Sequence, residues 1–106
     1  MEFRKGILFV RLIGKLTKYT VSVLEKEVTR VVKEYGIGNV VFNVSGLTEL
    51  DQVGMQALIQ NGHNHGKLVI CGLEQKEMKK QMKKQHMFDY LMEVSDELSA
   101  LHYLER

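Results

Sequence analysis

The chain contains no proline, no tryptophan and one cysteine, Cys71. A lone thiol excludes an intrachain disulfide, and with it the stapled folds of small secreted proteins. Cys71 closes an apolar run, where a buried, inert thiol is the expectation. No apolar run is long enough to cross a bilayer. The N-terminal one is broken by Arg11 and lacks a small-residue cleavage site. No membrane insertion and a cytoplasmic location are therefore expected. The net charge of +2 is too small to argue for nucleic acid. Phosphate-binding glycine loops are also missing, because Gly46 and Gly54 fit neither common pattern.

What remains is an ordinary globular composition. A length of 106 residues, 44% apolar, points to one domain over 1–106 with a single core. Ile7–Ile13 reads as a strand ended by Gly14, and Phe3 belongs to a short edge strand paired with it across Lys5-Gly6. Thr17 or Thr20 caps a helix whose stripe is Val21, Leu24, Val28, Val31 and Tyr35, with Gly36 as its stop. Asn39–Val44 is a covered central strand, and Ser45-Gly46-Leu47 is its exit loop. Asp51 caps the next helix, which ends near Gly62. His63-Asn64-His65-Gly66 is a turn, and Lys67–Gly72 is a third clear strand. A helix from Glu74 to Gln85 pairs Met78 with Met82 and carries five lysines elsewhere. Leu91–Val94 is a short strand, and a last capped helix has the stripe Leu98, Leu101 and Leu104. Strands alternate with helices, which predicts an α/β fold with a largely parallel sheet of four to five strands and four helices.

Catalytic patterns are weak. His63 and His65 have no third ligand at recognisable spacing, so no metal is expected. Glu49 and Asp51 lie two apart at a loop-to-helix junction, and capping accounts for Asp51. The lysine-rich helix reads as a solvated face, without the aromatic interleaving that base stacking needs. No catalytic residue and no cofactor are expected.

Two separated segments together resemble a known family. Leu8–Leu16, with Thr20 and Leu24, is similar to the opening of a STAS domain, the fold of bacterial anti-sigma-factor antagonists. Val40–Gly54 resembles that family's strand followed by its D-[ST]-x-G signature. Val69–Gly72 is similar to its next strand. Phe88 and Leu91, then Val94 and Leu98, resemble its closing segment. The resemblance implies a small α/β domain with a mixed sheet. It also implies a protein partner: an anti-sigma factor that is an ATP-binding serine kinase. In the best-known members the Ser or Thr after the signature Asp is phosphorylated by that kinase. The unphosphorylated form binds the kinase and releases sigma, and a phosphatase restores it.

This chain departs from the pattern where the switch lies. Asp51 and Gly54 are kept, but Gln52 occupies the acceptor position and Val53 follows it. Thr17 stands where the opening turn usually has Asp, and Gly54 to Gly66 is about a helical turn shorter than usual. Gln52 has no hydroxyl, so the usual phosphorylation is chemically closed. Ser45 and Thr48 are nearby hydroxyls, which local turn and capping bonds explain. The implied partner surface is the loop 46–51 with the exposed face of the next helix: Gly46, Leu47, Thr48, Glu49, Asp51, Gln52, Val53, Gly54 and Gln56. The alternative is a non-catalytic STAS subunit of a larger transporter or stress-signalling complex. A small enzyme or nucleotide-binding protein has the least support. Oligomeric state is left open.

Overall fold

The structure, a computed structural model, describes residues 2–4, 6–36, 38–64, 68–89 and 91–105, with the backbone alone for 2–4 and 61–64. The element order is β1 (Glu2–Arg4), β2 (Ile7–Leu16), α1 (Val21–Tyr35), β3 (Asn39–Leu50), α2 (Gln52–Asn64), β4 (Leu68–Cys71), α3 (Lys76–Lys84), a 3-10 turn (Met87–Asp89), β5 (Met92–Val94) and α4 (Glu97–Leu104). The five strands form one sheet in the order β1-β2-β3-β4-β5. β1 runs antiparallel to β2, and the other pairings are parallel. The fold is thus α/β with a mixed, mostly parallel sheet.

Sequential strand order has a direct consequence for the layers. Right-handed crossovers between successive neighbours place α1, α2 and α3 on one face. Leu8, Val10, Val40, Phe42, Leu68 and Ile70 point to that face and pack with Val28, Leu58, Met78 and Met82. Ile7, Phe9, Val41, Val69 and Cys71 point the other way, under Ala100 and Leu101 of α4. Side chains alternate across a strand, so coverage on both faces makes the central strands read as unbroken apolar runs. Cys71 is buried in the α4 layer, and burial pushes its thiol up to about 11, with the carboxylates of Glu97 and Asp96 adding to the shift.

Two strand ends differ from the sequence expectation. Gly14 does not end β2, and Ser45-Gly46-Leu47 is not a loop: the β2–β3 ladder continues to Leu16 and Leu50. The register steps from Arg11↔Asn43 to Ile13↔Gly46, and from Gly14↔Leu47 to Lys15↔Glu49. At each step β3 advances one residue more than β2, which makes two bulges. The inward residues of this part of β3 are Val44, Leu47 and Leu50, three apart rather than two. Bulges therefore erase the alternation that marks a strand. Gly14, with φ at 84°, takes up part of the irregularity.

Smaller corrections follow from packing. Tyr35 is exposed, and Val32 rather than Tyr35 joins the inward stripe of α1. Leu98 is also exposed, and Ala100 takes its place on the buried side of α4. α2 runs on through Asn64, so His63 and Asn64 belong to the helix. His65, Gly66 and the side chain of His63 lie outside the described residues. α3 is shorter at both ends than expected, Lys76–Lys84. Gly36 ends α1 and Asp96 caps α4, accepting from the Ser99 N–H at 2.8 Å.

Candidate protein-recognition site

β3 and β2 outrun the rest of the sheet. β4 pairs with β3 only from Val40 to Asn43, so residues beyond Val44 form a two-stranded arm with β2. Leu47 and Leu50 anchor this arm in the core. Where β4 has ended, the Gln75 side-chain amide donates to the Leu47 carbonyl at 3.0 Å. The bulged Thr48 donates its hydroxyl to the Gly14 carbonyl at 2.9 Å. Glu49 pairs with Lys15 on the arm's surface at 3.5 Å.

At the tip of the arm the chain turns into α2 at Asp51. One carboxylate oxygen of Asp51 accepts from the Gly54 N–H at 2.8 Å, the bond expected of an N-cap. The other accepts from the Lys18 N–H at 3.0 Å. The Asp51 N–H itself donates to the Leu16 carbonyl at 3.3 Å. Asp51 thus joins the start of α2 to the turn that leads into α1. The Gly54 bond above all, then the Lys18 bond, holds its carboxyl below the usual range.

Gly54 is required by proximity. A Cβ there would lie 2.3 Å from the Leu16 carbonyl oxygen, a backbone atom. The spacing Asp51-x-x-Gly54 therefore has a physical reason: the aspartate ties two turns together, and the glycine lets them touch. Thr17 and Thr20 complete the facing turn. The Thr20 hydroxyl donates to the Lys15 carbonyl at 2.9 Å and accepts from the Thr17 N–H at 3.0 Å. Thr20 holds the N-cap position of α1 without a side-chain capping bond.

This framework decides which of the candidate residues reach the surface. Leu47 and Gly54 are buried and shape the site from within. Gly46, Thr48, Glu49, Gln52, Val53 and Gln56 are exposed, and Asp51 is half-buried. Gln52 is the first residue of α2, held outward beside a cleft of about 280 Å³. Leu50, Asp51, Gln52 and Met55 line one side of the cleft, and Gln81 and Lys84 of α3 with the following Gln85 the other. The α3 residues and the Lys18 contact have no counterpart in the sequence expectation. The placement of α3 across the cleft brings in the first, and the β2–β3 pairing of Leu16 with Leu50 brings in the second.

Chemically, the exposed groups are neutral amides, a hydroxyl, apolar surface and the Glu49 carboxylate, which pairs with Lys15. Among the described residues no three His, Cys, Asp or Glu side chains cluster to hold a metal. No helix among them is long and apolar enough to cross a membrane.

Comparison with known proteins agrees with this architecture. A solved structure titled as the anti-sigma factor antagonist SpoIIAA in its unphosphorylated form superposes with a TM-score of 0.75. The match covers 99% of this chain and 94% of that one at 15% sequence identity, so the likeness is one of fold. The profile of the STAS domain matches residues 1–101, and with that coverage the chain belongs to the STAS domain family.

Proposed function

We propose that this chain is a protein-binding regulatory module that engages an anti-sigma factor, an ATP-binding serine kinase, through the exposed start of α2 and the adjoining arm. The observation that carries the reading is the placement of Gln52. It is exposed at the first turn of α2, at the acceptor position of the signature, beside a rigidly tied Asp51 and Gly54. The fold shared with an anti-sigma factor antagonist supports the same partner class. A phosphoryl group at that point would add about −1.5 to −2 charges. Gln52 has no hydroxyl to receive it, so binding is constitutive or controlled elsewhere.

The test mixes the chain with an ATP-binding anti-sigma protein encoded beside it, with and without ATP. A complex is expected in both conditions, with no label entering position 52. The variant Gln52→Ser is expected to accept label and then to dissociate. Failure of the wild-type chain to bind any such neighbour would overturn the reading.

A second reading, a subunit of a larger STAS-containing complex, is favoured by one feature. Ile13, Tyr19 and Val23 are 83%, 81% and 65% exposed. Ile13 and Val23 border a groove of about 400 Å³ between the outer edge of β2 and α1. Light scattering decides here: a monomer across a wide concentration range argues against self-assembly through that groove.

A further inference from the structure

The α3 helix carries a second surface that joins the first. Met78 and Met82 bury one side of it against the sheet. Lys76, Lys80, Lys83 and Lys84 follow at steps of four, three and one, which gathers them on the opposite side, and all four are exposed. Lys79, by contrast, pairs with Glu93 at 3.4 Å. Among the described residues no ion pair involves the other four lysines. Lys84 lines the same cleft as Asp51 and Gln52, so the lysine stripe and the start of α2 form one continuous face.

Opposing charge on this side of α3 comes from the exposed Glu77, three residues before Lys80, and the four lysines keep a positive excess over it. α2 begins without an acidic residue in its first turn, so the N-cap Asp51 is the carboxylate at the positive end of its dipole. The Asp51 carboxylate is turned to the Gly54 and Lys18 N–H groups. Gln52 is neutral. The apolar side of α3 is buried, so the helix has nothing to insert into a lipid layer. The stripe contains no aromatic residue on which a base could stack.

We infer that the partner docks an acidic protein surface on the lysine stripe of α3, continuous with the Gln52 end of α2. The inference rests on the recognition site proposed above and adds the chemistry of what it recognises. It also gives Gln52 a physical role. A neutral amide keeps the field of this face attractive to carboxylates, where a phosphate would repel them.

Stopped-flow association with the neighbouring anti-sigma protein, at about 50 and about 300 mM salt, tests this. Wild type is compared with Lys80→Gln/Lys84→Gln and Lys80→Glu/Lys84→Glu, each first checked by circular dichroism for an unchanged fold. Association is expected to slow in the glutamine variant, and by about tenfold or more in the glutamate variant at low salt. Salt should slow the wild type and leave the glutamate variant little changed. Equal rates for all three chains, with the wild type still binding, would overturn the inference and leave the proposed function standing. If the wild type does not bind that protein, the proposed function fails, and a fluorescent oligoglutamate peptide decides the inference alone. Binding of the peptide by wild type and its loss in the glutamate variant supports it, and no binding overturns it. Tighter binding to phosphatidylserine vesicles or duplex DNA than to oligoglutamate also overturns it.

Discussion

The carboxylate of Asp51 accepts hydrogen bonds from Gly54, three residues ahead, and from the backbone of Lys18 on a distant turn. One side chain therefore sets the direction of α2 and ties it to the approach to α1. The proposed recognition face inherits its rigidity from that pair of hydrogen bonds.

Replacing Asp51 tests the tie. Asp51→Ala removes both acceptors, and Asp51→Asn keeps one carbonyl oxygen, so the urea midpoint should fall in both and further in the alanine variant. The effect has a pH signature. The folded pKa lies below the unfolded value of about 3.9, as both backbone bonds require. The stabilisation is complete above the unfolded pKa and is lost as pH falls through the folded one. The gap between wild type and Asp51→Ala should therefore be widest near neutral pH and close in acid. A gap that widens in acid would contradict this account.

Gly54→Ala places a methyl group 2.3 Å from the Leu16 carbonyl oxygen. Backbone cannot move aside as a flexible side chain can, so a loss of about 1–3 kcal/mol is expected from overpacking. Denaturant unfolding gives the value. A neutral result would mean that α2 can shift without cost.

Gln52→Glu should separate folding from recognition. A carboxylate in the first turn of a helix contributes about 0.3–1 kcal/mol, so the melting temperature should rise slightly. Binding to the proposed partner should weaken, because the new charge meets the carboxylates that the lysine stripe attracts. Weaker binding with unchanged or higher stability is the expected combination, read by calorimetry for both.

Glu97 holds α4 to the sheet. It accepts from the Arg11 guanidinium at 2.8 and 2.7 Å and from the Asn43 amide at 2.7 Å. Charge-assisted bonds of this kind contribute about 1–3 kcal/mol, so Glu97→Ala should lose stability in that range. Hydrogen exchange should quicken first in α4, leaving the three-helix face protected. Uniform loss of protection would show that the two layers open together.

Much of this architecture was legible in advance. The runs Ile7–Val10, Val40–Phe42 and Leu68–Cys71 are apolar because both sheet faces are covered, and they marked the central strands. Met78 and Met82, one helical turn apart, marked the buried side of α3. Asp51 followed by Gly54 marked the start of α2. The second half of β3 was not legible, since two bulges put Val44, Leu47 and Leu50 at a spacing of three. The stripe of α4 was misplaced at Leu98 because its short helix offers apolar residues on more than one side.

Local sequence thus determined where the helices and the central strand segments form, because periodicity and capping act over a few residues. It also determined that position 52 carries no hydroxyl, a matter of covalent structure. Tertiary structure alone decided that Lys18 meets Asp51 and that Lys84 shares a cleft with Gln52. Those pairs lie far apart in the chain; the β2–β3 pairing brings the first together, and crossover packing on one face of the sheet the second. The same packing made Leu47 and Gly54 internal and left Gln52 outside.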